Sequence, residues 1–421
     1  MRSANETSPG NFRRADGRRV ATLRNAATVD GQLVDVHITG DRVAAVVPAE
    51  NRPAGEHDLN LSGYLLLEAP AEPHAHLDKA FSFDEIRPPP GDLGNAIAAW
   101  EEYNPRLTVD GIADRARRTA LRLLSNGTTA IRSHVNLLPG DAPLRGVQAL
   151  VRVRTELAAA MDIQLVVLAP YSVDDTAIHA ALDLGVDFVG GHPHHTPEPT
   201  ANLRRLLRIA EERGCGVDIH TDEQLDPEML TLEQLTHLVG DRPPARPVTA
   251  SHCVSLGMTA PEVQARVSAA VAAAGIGVVT LPMTNLYLQG RDHPVATPRG
   301  ITAVRALLDA GVRVAGGADN VRDPFNPLGR ADALETAMLL VTAAHLTPQE
   351  AYRAVSSGAR EVMGLPAAGP APGAYADLLA IRASGLEDAI AAAPTDRFVL
   401  RRGRLVAASR SERSTVTRPA D

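Results

Sequence analysis

Between residues 64 and 345 the chain repeats one pattern eight times: a short apolar run, a polar turn, then a helical stretch. The apolar runs end near Pro70, Val135, Ala169, Gly191, His220, His252, Leu281 and Gly317. Helical stretches separate them, among them Val109–Asn126, Leu144–Met161, Thr200–Arg213, Ala260–Ala274 and Ile301–Ala310. Several of these end on stop signals such as Asn126-Gly127, Arg213-Gly214 and Ala310-Gly311. Thr347-Pro348-Gln349-Glu350 opens a later helix with a capping box and a proline in the first turn. Repeated strand-then-helix order builds a parallel sheet, and eight units predict a (β/α)8 barrel of the TIM type over residues 64–365.

The chain ends read differently. Residues 18–63 alternate in short β-like runs with turns at Asp30-Gly31 and Gly40-Asp41. Residues 366–410 have the same character, with a turn at Arg402-Gly403. The two segments are expected to combine into one small β-sandwich domain. Residues 1–17 and 411–421 read as flexible tails.

Composition narrows the function classes. A formal net charge of −8, with aromatics at 3% and no basic cluster among them, argues against nucleic-acid binding. Met1 to Gly17 is polar and Arg-rich and has no apolar core of a secretory signal. Val267–Met283 is apolar but broken by Gly275 and Gly277, which reads as a helix and a strand and not as a membrane span. Two cysteines, Cys215 and Cys253, make no disulfide framework, so a cytoplasmic setting is expected.

In such barrels chemistry sits at the carboxyl ends of the strands. The chemically capable residues gather there. His74 and His76 follow the first strand, and their i, i+2 spacing puts both imidazoles on one face. His134 and Asn136 end the second, Tyr171 follows the third, and His192, His194 and His195 follow the fourth. His220, then Asp222 and Glu223, end the fifth; His252 ends the sixth; Asp319 and Asn320 follow the eighth. Taken singly, the histidine pair reads equally well as core or surface residues, and Gly317-Ala318-Asp319 as a turn. Taken together, His74, His76, His220 and Asp319 form a ligand set for one divalent ion with a position left for water. Such an ion lowers the pKa of its water toward neutrality. Asp319 is placed to take a proton from that water. Glu223 is placed to carry it to a ring nitrogen, and His252 to polarise the water or stabilise developing charge. Arg132 and Asp218, two residues before His134 and His220, are expected as an ion pair one layer deeper in the barrel.

Lys79 is the only lysine in the chain. No strand carries a lysine that a carbamate-bridged two-metal centre would use, which argues for one metal. Beside the histidine pair, Lys79 is assigned a substrate contact or a place next to the ligands, with Asp78 as its partner.

These residues together resemble the amidohydrolase superfamily and, within it, the cytosine deaminase family. The resemblance rests on Glu72-Pro73-His74-Ala75-His76-Leu77-Asp78, Val189–His194, Val217–Glu223 and Val248–His252. It continues through Leu288–Arg291, Arg299–Thr302 and Asp319–Gly329. It implies a mononuclear Zn2+ or Fe2+ site, hydrolytic release of ammonia or an amine from a nitrogen heterocycle, and a homo-oligomer. It matches the roles given to His74, His76, His220, Glu223, His252 and Asp319. The chain departs from the family's cytosine-binding pattern at Tyr171, Asn320, Phe325 and Asn136. Substrate contacts are therefore expected at Lys79, Tyr171, His194, Asn320 and Phe325, with a heterocycle other than cytosine. The alternative on the same barrel is a cyclic amidase that opens a lactam ring. The long segment Ser82–Leu107, with Trp100, is expected to serve as a lid over the pocket or as an oligomer contact.

Overall fold

The computed structural model describes residues 15–50, 52–240 and 246–411. The expected tails at 1–17 and 411–421 lie almost wholly outside the described residues. The chain divides into two compact units. One is made of both chain ends together with Ser125–Gly127, and the other of Pro70–Leu124 and Thr128–Ala367.

The first unit contains β1 (Thr22–Ala27), β2 (Leu33–Thr39), β3 (Arg42–Pro48), β4 (Asp58–Asn60) and β5 (Leu65–Glu68). The second holds β6 (Ala71–Ala75), β7 (Ala130–Asn136), β8 (Asp162–Leu168), β9 (Phe188–Gly190), β10 (Gly216–Thr221), β11 (Val248–His252), β12 (Gly277–Thr280) and β13 (Val314–Gly316). The chain then returns to the first unit with β14 (Leu378–Ile381), β15 (Arg397–Arg401) and β16 (Arg404–Ser409).

Both chain ends do combine. Their strands run β16-β15-β14-β5-β1-β2-β3, with β4 paired to β1. They enclose one apolar core that includes Leu23, Val36, Leu61, Leu66, Leu378, Phe398 and Leu405.

The run Tyr64–Pro70, read from sequence as the first barrel strand, belongs elsewhere. Its strand β5 pairs antiparallel with β14 and meets β1 at Ala27. The barrel's first strand is instead Ala71–Ala75, which already contains His74. Pro70 separates the two, because proline has no N–H to continue a ladder. The other seven strands end within one residue of the positions read from sequence.

Strands β6 to β13 are parallel and ordered as in sequence. Closure between β13 and β6 comes from Asp319, just beyond β13, and the end of β6. The Asp319 N–H donates to the His74 carbonyl at 3.0 Å, and the His76 N–H donates to the Asp319 carbonyl at 3.1 Å. No described helix is long and apolar enough to cross a membrane.

The barrel interior is polar at one level. Fully buried Arg132 donates to Asp218 Oδ2 at 2.8 Å, Gln164 Oε1 at 2.9 Å, Thr249 Oγ1 at 3.0 Å and the Met363 carbonyl at 2.9 Å. Its guanidinium carbon lies 4.1 Å from the Phe188 ring centroid. This is the ion pair expected from the i, i+2 spacing. Removing one partner of a buried pair strands the other charge. Arg132→Ala is expected to lower stability by about 3–5 kcal/mol, read by urea denaturation. Loss of less than about 1 kcal/mol would mean that Asp218 is satisfied without it.

Candidate active site

The closure bonds set the site's geometry. They hold Asp319 beside β6 with a backbone φ of +60°. Its Oδ1 then lies 3.2 Å from His76 Nε2 and 3.5 Å from His74 Nε2. His220 Nε2 lies 3.3 Å from His76 Nε2. Glu72 fixes both sides of the closure. One of its carboxylate oxygens accepts from the His74 N–H at 3.1 Å, and both accept from the Ala318 N–H at 3.0 and 3.1 Å. Burial pushes the Glu72 carboxyl up to about 8, against those backbone donors. A Cβ at Gly317 would lie 2.7 Å from Glu72 Oε1, so glycine is what lets the two segments approach.

His74, His76, His220 and Asp319 are all buried. Burial would raise the Asp319 carboxyl, but the His74 and His76 imidazoles beside it outweigh that and hold it well below the usual range. Burial, helped by the neighbouring Lys79 ammonium, keeps His76 neutral. His74 Nε2 and both Asp319 oxygens are buried and make no well-formed hydrogen bond among the described residues. One potential donor atom each from His74, His76 and His220 lies within 4.8 Å of the others, and the same holds for His74, His252 and Asp319. Imidazoles around a buried, unsatisfied carboxylate form a donor set that fits a divalent ion. His74 Nδ1 lies 2.9 Å from Ser251 Oγ, which in turn donates to Asp218 Oδ1 at 3.2 Å. His74 is thereby tied to the Arg132–Asp218 pair.

His252 ends β11 with a φ of +68°. Thr249 and Ser251 use the inward face, so strict alternation would turn residue 252 away. The left-handed backbone instead brings its ring to the site. The Asn285 amide donates to Nδ1 at 3.3 Å, which leaves the proton of the neutral ring on Nε2, 3.9 Å from Asp319 Oδ2. Burial pushes His252 down to about 3, so it stays neutral. Glu223 Oε1 lies 3.5 Å from His252 Nδ1. Burial, then the Asp319 charge, holds the Glu223 carboxyl well above its ordinary value. The Gln289 amide donates to the Glu223 carbonyl at 2.7 Å and fixes the loop.

A cavity of about 480 Å³ opens over these groups. His76, Lys79, His220, Glu223, His252 and Asp319 reach it from the strand ends, with a wall that includes Trp100, Leu138, Pro170 and Phe325. The segment 82–107 is not a bare loop. It contains the helix Leu93–Tyr103, begun by an Asp92 cap, and that helix delivers buried Trp100 to the wall. Lys79 Nζ lies 2.9 Å from His76 Nδ1, and 5.5 and 5.7 Å from the Phe325 and Trp100 ring centroids.

Three expected substrate contacts stand apart from the others. Tyr171 is 43% exposed and does not line the cavity. A turn in which the Val173 N–H donates to the Pro170 carbonyl presents Pro170, Ser172 and Val173 instead. Asn320 lines the cavity, but its amide is engaged with Thr284 Oγ1 at 3.3 Å and Asp323 Oδ2 at 2.8 Å. His194 is buried and donates to the His220 carbonyl at 3.0 Å; its neighbours His192 and His195 line the cavity.

Sequence reading passed over Glu72, Ser251, Asn285 and Gln289 as supporting groups. Glu72, Ser251 and Gln289 carry a signal only as members of the quoted motifs, and Asn285 lies outside them. Ser251 supplies a direct check: Ser251→Ala is expected to weaken metal binding by about 10- to 100-fold, read by competition with a chelator. Unchanged affinity would show that His74 needs no partner at Nδ1.

The Amidohydrolase family model matches residues 110–408. The chain is 31% identical over 386 residues to a pterin deaminase of Rhizobium rhizogenes, covering 88% of this chain and 87% of that protein. Among solved structures it is similar to 5-methylcytosine deaminase of Klebsiella pneumoniae, with a TM-score of 0.84 and 25% identity over 94% of this chain and 99% of that one. It is also similar to N-isopropylammelide isopropylaminohydrolase of Burkholderia multivorans, with a TM-score of 0.78 and 29% identity over 92% and 98%. A barrel closed through Asp319, a histidine-rich floor at its strand ends and a family match across most of the chain agree: this protein belongs to the amidohydrolase family.

Proposed function

We propose that this protein is a metal-dependent hydrolytic deaminase of a nitrogen heterocycle, and that the heterocycle is a bicyclic pteridine. The observation that carries the reading is one cavity lined by His76, His220, Asp319, Glu223 and His252, with buried His74 beside Asp319. The cavity's 480 Å³ falls within the range of small-molecule sites and is generous for a single pyrimidine ring. The relative named a pterin deaminase supports the larger ring system.

His74, His76, His220 and Asp319 would hold one ion, Zn2+ or Fe2+. When bound, that ion supplies a water acidic enough to attack at neutral pH. Asp319, held as a carboxylate, accepts a proton from the attacking water. Glu223, held protonated by burial, gives its proton to the ring nitrogen next to the carbon under attack. The His252 Nε2–H faces the developing oxyanion. As the tetrahedral carbon collapses, the proton held by Asp319 passes to the amino group, which leaves as ammonia, and the hydroxyl proton returns to Glu223, leaving a carbonyl on an intact ring. Lys79 and Phe325 bound the substrate's far side, and Asn320 acts there as a wall more than as a reader, since its amide is occupied. A cytoplasmic homo-oligomer is the setting we infer. Both cysteines being free thiols supports the compartment.

Two measurements check the reading. An ammonia-release screen across pterins, pyrimidines and triazines is expected to give turnover on a pterin above that on cytosine. The product mass should equal substrate plus water minus ammonia; substrate plus water alone would establish ring opening. Glu223→Gln is expected to keep its metal and lose about 10²- to 10⁴-fold in kcat. A fully active variant would take the proton transfer away from Glu223.

A further inference from the structure

A second constellation lies beside the same cavity, which His195 and Glu223 line, and none of its members belongs to the four-ligand set. His194, His195 and Glu223 each offer one ligand atom, and these atoms lie within 4.8 Å of one another. The His194 and His195 ring centroids are 4.1 Å apart, with planes inclined by 46°. They sit on the short 3-10 turn Pro193–His195, which follows β9. Glu223 arrives from the loop after β10.

The tautomer of His194 is fixed by its neighbour. Its Nδ1 lies 3.0 Å from the His220 carbonyl, which can only accept, so Nδ1 carries the proton. Nε2 is then a bare lone pair. It is buried and has no hydrogen-bond partner among the described residues. A ring nitrogen anchored to a backbone carbonyl, with the opposite nitrogen free, is the arrangement that metal-binding histidines adopt. Two imidazoles and a carboxylate with a face open to solvent suit zinc or a similar borderline ion. His195 is exposed, so the position is reachable from the cavity mouth.

We propose that His194, His195 and Glu223 form a second divalent-cation site, separate from the four-ligand centre, and that its occupation inhibits the enzyme. Glu223 links the two sites. As a ligand it holds an ion at its carboxylate and is no longer free to hand a proton to the ring nitrogen. The ion would also narrow the cavity beside His192 and His195. The inhibitory effect rests on the role proposed for Glu223; the existence of the site does not.

Zinc is the probe. Protein carrying a single equivalent of metal is titrated with Zn2+, free metal is removed, and content is read by mass spectrometry alongside the ammonia-release rate. The wild-type chain is expected to take up a second equivalent and to lose at least about 10-fold in rate, as a blocked proton carrier implies. His195→Ala and His195→Gln, which alter an exposed residue outside the four-ligand set, are expected to stop at one equivalent. Their own rates should not change with added zinc. A wild type that saturates at one equivalent overturns the proposal. So does a His195 variant that binds the second equivalent as the wild type does. A second equivalent with no loss of rate leaves the site standing and overturns the inhibition. The metal count does not depend on which heterocycle is the substrate. A failed substrate screen with a second equivalent bound would therefore count against the functional reading and not against the site.

Discussion

Two backbone hydrogen bonds, between Asp319 and the His74–His76 segment, hold the rest of this structure in order. They join the last barrel strand's extension to the first strand, so they complete the parallel cylinder. They also bring three of the proposed ligands together, because the residue that closes the ring is itself the carboxylate. Fold and chemistry meet in one peptide unit. The Glu72 carboxylate below accepts from both sides of the seam, and Gly317 supplies the clearance. A substitution that loosens the seam would disturb the barrel and the metal position at once.

Beneath the ligands runs a continuous polar path: His74 to Ser251, Ser251 to Asp218, Asp218 to Arg132, Arg132 to Gln164, Thr249 and Met363. Burial alone would push the Asp218 carboxyl up, yet His134 and Arg132 hold it well below the usual range. The path therefore carries a fixed negative charge at its middle and anchors it with a guanidinium whose donors are largely used. A buried charge is costly when unpaired. Here the pairing spans β7, β8, β10 and β11, so the same bonds that satisfy the charge hold those strands in register.

Much of this was legible in the chain. Seven of the eight strand ends, the gathering of the proposed ligand residues at them and the Arg132–Asp218 pair follow from periodicity and from i, i+2 spacing. What escaped had physical causes. Tyr64–Pro70 looks like a barrel strand because it is apolar and adjacent, but Pro70 splits it from Ala71–Ala75 and its partner lies more than three hundred residues away in β14. His252, Asp222 and Asp319 adopt positive φ, a conformation that alternation rules do not foresee. Such residues cost about 1–3 kcal/mol each and persist where their surroundings fix them. Tyr171 and Asn320 sit at the expected strand ends, but a local turn and a local amide network decide where their side chains go. Position along a strand is encoded locally; direction at its end is not.

The helix Leu93–Tyr103 has a consequence of a different kind. It belongs to one contiguous insertion between β6 and the helix that begins at Val109, and it supplies Leu93, Ile97, Trp100 and Glu101 to the cavity. None of these touches the strand-end residues through the backbone ladder that closes the barrel. The pocket's shape can therefore drift through a short run of sequence while the reacting groups stay where they are. A chain built this way separates what it accepts from what it does, and one catalytic floor can serve rings of different size by exchange of a single segment.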